Sequence, residues 1–458
     1  MAHSNSTRHG AAQPASEHFD YLRLIRLPCS LVLAFALLPA SAAVAGPDSA
    51  ALRADELVER VLTENAGLAA LRAAVQSAES RIEPAGALPD PRLRITTAPR
   101  TFDGFTTPAG QERGISGVIE LSQELPWPGT LSLRADAARR DAAAIGDGVM
   151  AMRLRLAAET QKQYAQWAYV HRALEINEAN QELVDELRRV AENRYAAGLV
   201  RQQDVLQAEV ELQRLKKQAL AFRQHQDAVR ARLNGLLNRD ANQTLAPPAS
   251  LPEPGPVPSY AVLRGQALSR HPELAGLEQR IAADQAQESL AKKAFYPDLT
   301  LIARNNDYRP SSETRSELGL SINLPLDRSK RRAELDAARA DTLRTRYELE
   351  NTRARLLADL EAARTATVRG SQTIDLYQNA LIPRTRENLS AARAEYGSGG
   401  GAFLDVITAE QQKLNAELEL ERARADYFAA RAELERWTGG KLPTSGASHA
   451  SASQVPHE

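Results

Sequence analysis

The sequence predicts a mainly α-helical protein with a small, membrane-spanning β part, built from one unit that occurs twice. Each unit would contain a helix, two strands and a long helical hairpin. Three observations support this prediction: helical patterning over most of the 458 residues, four short stretches of alternating apolar residues, and a gapped motif that recurs at constant offset. Only 5% of residues are aromatic, so small side chains are expected where the long helices meet.

The repeated motif is the strongest single feature of the chain. The first copy, residues 195–212, reads Y-A-A-G-L-V-R-Q-Q-D-V-L-Q-A-E-V-E-L, and the second, residues 396–413, reads Y-G-S-G-G-G-A-F-L-D-V-I-T-A-E-Q-Q-K. A gapped pattern that matches at a single offset (396 − 195 = 201) indicates internal duplication. The matching pairs are Tyr195/Tyr396, Gly198/Gly399, Asp204/Asp405, Val205/Val406, Ala208/Ala409 and Glu209/Glu410.

Each copy of the motif predicts the turn of an antiparallel helical hairpin. Gly198 and the Gly399–Gly401 run can adopt the positive φ that commonly ends a helix. Asp204 and Asp405 follow where the next helix begins, and a negative charge stabilises a helix N-terminus. The sequence therefore predicts two helical hairpins, at about 130–237 and about 330–437.

Composition and scattered residue types argue against several functional classes. The formal net charge is −1, so no overall field favours a nucleic-acid partner. The histidines lack metal-ligand spacing, and neither a Gly-rich phosphate loop nor a nucleophile elbow is present. We therefore expect no cofactor, no metal site and no enzymatic activity.

The first 45 residues predict an export signal. Two arginines precede the apolar run Leu27–Leu38, and P-A-S-A-A-V-A-G follows it, which predicts a signal peptide over 1–45 with cleavage after Ala45. The alternative is a membrane anchor, but the run is too short for about 30 Å of hydrocarbon. Cys29, the only cysteine, lies near the start of this run, so most of the apolar residues follow it instead of leading into it. This disfavours lipidation, and removal of the signal would leave no disulfide in the mature chain.

The first predicted repeat covers residues 46–240. It begins with a helix over 52–82, followed by strands at about 91–98 and 115–124, and P-W-P-G then breaks the second strand sharply. A Pro-rich linker at 241–258 would separate the repeats.

The second predicted repeat covers residues 259–438 and follows the same order. A helix over 260–294 precedes strands at about 298–304 and 316–324, separated by a loop at 305–314. Pro383 is expected to bend the long helix that follows. Residues 439–458 are expected to be a disordered tail.

Four strands imply an oligomer if they enter a membrane. The smallest membrane barrels have eight strands, and open strand edges cannot face lipid. Several copies would therefore have to share one barrel. Two alternatives remain open at this point: solvent-exposed hairpins on a periplasmic helical protein, or a structural coiled-coil rod.

The two copies of the repeated motif, which would form the tips of the helical hairpins, resemble those of the TolC family of outer-membrane efflux channels. Four further stretches support this resemblance: P-D-P-R-L, Q-E-L-P-W-P-G, H-P-E-L and Y-P-D-L-T-L. The resemblance covers nearly all of the mature chain. The resemblance implies a homotrimer in outer-membrane lipid, with a twelve-stranded β-barrel and a long periplasmic α-barrel. It implies passive conduction, with a periplasmic adaptor at the hairpin tips and an inner-membrane pump supplying energy.

The Q-E-L-P-W-P-G motif is most similar to the branch that serves heavy-metal resistance–nodulation–division (RND) pumps of the cobalt–zinc–cadmium and copper–silver kind. A multidrug or type I secretion duct is the alternative cargo class. A periplasmic adaptor is a further alternative, but an adaptor should have a β-rich half around one hairpin.

The same resemblance assigns site residues. In the family an aspartate ring narrows the periplasmic entrance, and Asp405 matches its first aspartate, whereas the second is replaced by Thr408. Asp204 is the repeat-related gate candidate, and helix capping is the alternative role of both aspartates. The implied adaptor-docking residues are Tyr195, Gly198, Leu199, Tyr396, Gly399 and Gly401.

Overall fold

The structure, a computed structural model, describes residues 51–97, 114–309 and 313–442. The predicted signal peptide lies outside these residues. The order of helix, strand, strand and long helical hairpin is observed twice. The first set comprises α1 (Ala54–Glu64), α2 (Ala66–Ser80), α3 (Ile82–Gly86), β1 (Arg92–Thr97), β2 (Gly114–Leu125), α4 (Thr130–Ala196) and α5 (Gln202–Leu236). The second comprises α6 (Tyr260–Arg270), α7 (Pro272–Lys293), β3 (Leu299–Arg309), β4 (Glu313–Ile322), α8 (Arg328–Leu376), α9 (Ile382–Ser398) and α10 (Phe403–Thr438).

The single helices expected at the start of each repeat are interrupted. Asn65 separates α1 from α2 because its backbone is extended and its Oδ1 accepts the Leu68 N–H at 3.1 Å, which caps the next helix. The Asn65 amide also donates to the Leu236 carbonyl at 3.0 Å. In the second repeat His271 is extended and Pro272 begins α7, because a proline without an N–H is tolerated in the first helical turn.

The strands form one antiparallel sheet in the order β1-β2-β3-β4, and β2 pairs with β3 across the two repeats. One face is apolar and exposed; its members include Leu93, Ile95, Ile119, Leu121, Leu301, Leu318 and Leu320. The opposite face carries charge, and there Arg304 Nε donates to Glu120 Oε2 at 3.0 Å. The sheet therefore has two chemically distinct faces and, among the described strands, two unpaired edges.

Two predicted strand boundaries were wrong. Strand β3 continues through Asn305, Asn306 and Asp307, where a loop was expected because Asn and Asp favour turns. Pairing on both sides overrides that preference, since Asn305 faces both Ile119 and Ser316. Strand β4 runs over Glu313–Ile322 rather than 316–324.

The long helices pack through small side chains, as expected. Helix α4 has 67 residues, which corresponds to about 100 Å at 1.5 Å per residue. It packs against α5 and α10, and α10 also packs against α8 and α9. Many buried positions on these helices are alanines, including Ala165, Ala168, Ala173, Ala208 and Ala425. Alanine at these contacts allows close approach of the helix backbones.

A π-helical turn over Tyr377–Leu381 joins α8 to α9 immediately before Pro383. Proline lacks an N–H and clashes with the carbonyl four residues earlier. A wider turn relieves that clash without ending the helix. Near Pro383, where a bend was predicted, the structure contains a π turn.

The Pro-rich segment 241–258 lies against the helices. The Tyr164 hydroxyl lies 2.8 Å from the Leu52 carbonyl and 3.0 Å from the Ala249 carbonyl, and its single proton is shared between them. Trp167 Nε1 donates to the Ala246 carbonyl at 3.1 Å. In the second repeat the Tyr427 hydroxyl accepts the Gly255 N–H at 2.9 Å. Aromatic side chains from both hairpin systems therefore fix this segment in place.

The first four residues of the expected disordered tail, 439–442, are ordered. Gly439 has a φ of 83° and ends α10, and its N–H bonds to the Arg436 carbonyl. Leu442 is buried among Leu263, Leu434 and their neighbours. An apolar contact just beyond a left-handed glycine commonly accompanies this helix ending. Residues 443–458 lie outside the described part of the chain.

Candidate functional site

The two hairpin turns contain the predicted left-handed glycines. Gly198 has a φ of 73° and Gly399 a φ of 87°, which confirms the expected turn conformation. The Leu199 N–H bonds to the Arg194 carbonyl at 2.9 Å in the first turn. In the second turn the Gly400 N–H bonds to the Glu395 carbonyl at 3.0 Å. Both turns thus satisfy the carbonyl groups that a helix end leaves free.

The proposed docking residues differ in accessibility. Leu199 is 68% exposed and Tyr195 is also exposed, so both present apolar surface at the first turn. Tyr396, by contrast, is only 5% exposed, and its ring centroid lies 5.2 Å from that of Phe403. Gly401 leaves almost no room for a side chain, since an added Cβ would lie 3.1 Å from the Glu395 Cβ.

Arg194 connects the two turns. It belongs to the last turn of α4, and its Nη1 donates to the Tyr396 carbonyl of the second hairpin. Its Cζ also lies 4.8 Å from the centroid of the Tyr396 ring. Burial, and after it the negative charge of Asp204, raise the pKa of the Tyr396 hydroxyl, while Arg194 opposes that shift. The two tips thus form one electrostatically linked unit.

The two gate candidates occupy equivalent helix positions but make different contacts. Each is the third residue of its helix, α5 for Asp204 and α10 for Asp405. Asp405 is exposed, and its Oδ2 accepts the Ala402 N–H at 3.4 Å. Asp204 is half-buried and close enough to Tyr396 to affect its titration. Asp405 thus caps the start of its own helix, whereas Asp204 interacts with Tyr396 of the other hairpin.

A buried polar layer lies beyond the tips. Gln411 Nε2 of α10 donates to Glu211 Oε2 of α5 at 2.7 Å, and Lys413 Nζ lies 3.4 Å from Asn180 Oδ1 of α4. Glu410 is only 2% exposed, and its nearest cation is Lys413 at 3.5 Å. Burial raises the pKa of the Glu410 carboxyl, while Lys413 and Arg393 oppose the shift. This layer couples the two hairpins through side chains.

Sequence reasoning missed Arg194 and the polar layer. The match between Glu209 and Glu410 was visible, but the two residues differ in the fold, since Glu209 is exposed and Glu410 is buried. Arg194 directly precedes the first tip motif, so its position next to Tyr195 was the available signal.

No cluster of three or more His, Cys, Asp or Glu residues in the described ranges is arranged to hold a metal ion. In the same part of the chain, every helix is either too short or too polar to cross a membrane.

Comparison with known proteins identifies the family. The family described as "Outer membrane efflux protein" matches residues 57–239 and 263–440, which is more than half of the chain. Alkaline protease secretion protein AprF of Pseudomonas aeruginosa is 26% identical over 250 residues, a match that spans 52% of this chain and only about half (51%) of AprF. Toxin and drug export protein A of Aggregatibacter actinomycetemcomitans is 22% identical over 387 residues, 82% of this chain and 84% of that protein.

Solved structures show the same fold at low sequence identity. The outer-membrane channel OprN has a TM-score of 0.74 at 21% identity, over 84% of this chain and 90% of its own. VceC of Vibrio cholerae has a TM-score of 0.71 at 21% identity, over 85% of this chain and 96% of its own. CusC has a TM-score of 0.73 at 18% identity, over 84% of this chain and 92% of its own. These matches confirm the predicted mainly α fold with a small β part.

The family resemblance inferred from the tip motifs is thereby confirmed. The chain belongs to the outer membrane efflux protein family, whose members are transport channels of the outer membrane and not enzymes.

Proposed function

We propose that this protein is the outer-membrane channel of a tripartite efflux system. It conducts passively as a homotrimer, together with a periplasmic adaptor and an inner-membrane RND pump. One observation carries the proposal: in the described part of the chain, a four-stranded sheet with two unpaired edges is joined to two long helical hairpins. Four strands are half the number in the smallest membrane barrels. Three copies would supply twelve strands and leave no edge facing lipid.

The polarity of the sheet supports membrane placement. Its apolar side chains are exposed rather than packed on a core, and Leu318 reaches 92% exposure. Large exposed apolar surfaces usually mark an interaction site. The opposite face carries the Glu120–Arg304 ion pair, as expected for a wall that faces water. Alternating apolar and polar faces are typical of strands that separate lipid from an aqueous lumen.

The hairpin tips are proposed to perform two tasks. Tyr195 and Leu199 would contact the adaptor, with Gly198 and Gly399 holding the turns and Gly401 and Tyr396 shaping the second tip from within. Asp405, recurring once in each chain of a trimer, would form the gate ring. Asp204 would support the gate by its charge next to Tyr396.

Heavy-metal cations are the proposed cargo, on the basis of the Q-E-L-P-W-P-G motif at 123–129. Two relatives carry names that favour other cargo, since one is a protease secretion protein and the other a toxin and drug export protein. Multidrug or protein export is therefore the competing proposal. Neighbouring genes for a pump and an adaptor would help to distinguish these classes.

A deletion strain tests the proposal directly. We expect the strain to become sensitive to zinc, cobalt, cadmium, copper or silver salts and to recover when the wild-type gene is returned. Unchanged metal tolerance with increased sensitivity to hydrophobic drugs, or with loss of a secreted protein, would favour the competing cargo. The absence of heat-stable, detergent-extracted trimers from the outer-membrane fraction would contradict the channel itself.

A further inference from the structure

The segment after β4 combines exposed leucines with a run of cations. Residues 323–332 read N-L-P-L-D-R-S-K-R-R. Leu324 and Leu326 are both exposed, Leu326 at 83%, although they no longer belong to the strand. They follow the exposed residues Leu318, Leu320 and Ile322, so an accessible apolar surface extends from the strand to the start of α8.

Four cations follow within five residues: Arg328, Lys330, Arg331 and Arg332. Arg331 pairs with Glu334 at 3.2 Å. The other three are exposed, and within residues 51–97, 114–309 and 313–442 none has a carboxylate within 4.0 Å. The nearest acid in sequence, Asp327, caps α8 by accepting the Lys330 N–H at 3.0 Å. With Asp327 included, residues 323–332 carry a formal net charge of +3 (four cations and one carboxylate).

This charge opposes the local helix. Arg328 begins α8, and a helix N-terminus carries a partial positive charge that favours anions and disfavours cations. Three unpaired cations in the first turns therefore reduce the stability of α8. An external anion at this position would remove that cost, and arginine binds phosphate through paired N–H donors.

The same end of the sheet carries a second interfacial feature. Because β1–β4 are antiparallel, β2 and β4 end where β3 begins. There Trp127 stacks on Tyr296 with ring centroids 4.9 Å apart, and Lys293 Nζ lies 6.0 Å from the Tyr296 ring. Aromatic residues with nearby cations are typical of a membrane–water boundary. The position of the cation run thus coincides with the expected edge of the bilayer.

We propose that the first turns of α8 bind the phosphate groups of anionic phospholipids, while Leu324 and Leu326 enter the adjoining acyl region. The proposal rests on the proposed function, because it requires the sheet to lie in the outer membrane. The helices leave the sheet at this end, so the leaflet concerned is the periplasmic one. Basic residues next to a membrane segment attract anionic lipid through this combination of charge and apolar contact.

Lipid selectivity of the detergent-purified full chain tests the proposal. Native mass spectrometry would count phosphatidylglycerol and phosphatidylcholine adducts, offered in equal amounts with identical acyl chains. Each basic residue near an anionic lipid surface contributes about a fivefold preference, so three acting independently should favour phosphatidylglycerol by about a hundredfold. The variant Arg328→Gln/Lys330→Gln/Arg332→Gln should bind both lipids equally.

A matched control removes the same charge elsewhere. Lys216, Lys217 and Arg223 are exposed on α5, and changing all three to Gln should leave the preference for phosphatidylglycerol unchanged. The charge-retaining variant Arg328→Lys/Arg332→Lys should keep at least part of the preference, which separates charge loss from misfolding. Inorganic phosphate at millimolar concentration should not displace phosphatidylglycerol, because it lacks the acyl chains.

Three results would overturn the inference. The wild type could bind the two lipids equally, the α5 control variant could lose the preference for phosphatidylglycerol as fully as the α8 variant does, or inorganic phosphate could displace bound phosphatidylglycerol. Cell fractionation separates this failure from failure of the proposed function. If the chain is a trimer in the outer membrane but shows no lipid preference, only the lipid inference is wrong. If it is absent from the outer membrane, the channel proposal is wrong as well.

Discussion

The guanidinium of Arg194 in the first hairpin lies over the ring of Tyr396 in the second, with Cζ 4.8 Å from the ring centroid. The same group donates to the Tyr396 carbonyl. Arg194→Ala removes a charged hydrogen bond and a cation–π contact, which together contribute about 1–3 kcal/mol to holding the tips together. We expect a broader distance distribution between spin labels on the two tips and a higher open probability in planar bilayers.

Arg201 provides the control for this prediction, because it is exposed just beyond the same turn and its side chain has no hydrogen-bond partner among the described residues. Arg201→Ala should leave the distance distribution unchanged. An equal effect of both substitutions would mean that general loss of charge at the tip, rather than the contact with Tyr396, controls the separation.

The backbone conformation at Gly198, and not the packing around it, limits which residues this position can hold. Its φ is 73°, and an added Cβ would meet no atom within 4 Å. A β-branched residue would strain this left-handed turn by about 1–2 kcal/mol. We expect Gly198→Val to abolish efflux complementation while leaving trimers in the outer membrane.

Gly146 is the matched control for the glycine experiment, since it lies inside α4 with ordinary helical φ and equally open surroundings. Gly146→Val should retain activity. Full activity of Gly198→Val would argue against this turn as the adaptor-facing tip.

The sequence was most informative where a residue type directly limits the backbone. Gly198, Gly399 and Pro383 each mark an irregularity that the structure contains, because φ and N–H availability are properties of the residue itself. The loop predicted at Asn305–Asp307 was wrong, because strand pairing on both sides outweighs a local turn preference. Local preference thus identified the turns but not the length of β3.

Contacts between the hairpins could not be read from the sequence. Arg194 and Tyr396 are about 200 positions apart, as are Glu211 and Gln411. Helical periodicity assigns each residue to a face of its own helix, but it does not specify which helix covers that face. The exposed repeat partner Glu209 and the buried Glu410 differ for this reason, since α4–α5 and α9–α10 have different neighbours.

Side-chain alternation in β4 predicts alternating access to lipid. Leu318, Leu320 and Ile322 are exposed on the apolar face, and an Arg near the bilayer midplane would cost about 2–4 kcal/mol. Single cysteines along 316–322 should react with a lipid-soluble probe at even positions and with a water-soluble probe at odd ones. Equal labelling of odd and even positions would contradict the membrane-spanning strand.

Glu410 predicts a pH-dependent stability. Burial raises the pKa of its carboxyl, and neither carboxylate oxygen has a hydrogen-bond partner among the described residues. The folded chain therefore holds this proton to a higher pH than the unfolded chain. Stability should fall as the pH rises from the ordinary glutamate pKa through the raised value, because the buried group becomes charged.

The variant Glu410→Gln should remove this pH dependence and make the protein more stable than the wild type at pH 8, because the glutamine has a similar shape but no charge to bury. In this variant Lys413 would still pair with Glu417, since Lys413 Nζ lies 3.6 Å from Glu417 Oε2. Thermal unfolding at pH 5 and pH 8 measures the effect, with exposed Glu209→Gln as the control. A destabilised Glu410→Gln at pH 8 would show that Lys413 and Arg393 stabilise the carboxylate more than burial destabilises it.

Asp405 provides the sharpest test of the proposed gate. A trimer would bring three Asp405 carboxylates towards one axis, and such a ring attracts cations and binds multivalent ones strongly. Asp405→Asn is nearly isosteric, and its amide oxygen can still accept the Ala402 N–H that Asp405 Oδ2 now accepts at 3.4 Å. The substitution therefore removes charge while preserving the cap.

In planar bilayers Asp405→Asn should lose cation preference and become less sensitive to block by trivalent metal ions. Thr408 lies three residues after Asp405 on the same helix and is exposed. Thr408→Asp should therefore add a second acidic ring and increase both the cation preference and the sensitivity to trivalent metal ions. Asp204→Asn, in which the half-buried repeat partner loses its charge next to Tyr396, should alter selectivity less. If selectivity and block are unchanged in Asp405→Asn, the residue does not line the constriction, and its contact with Ala402 remains its only role.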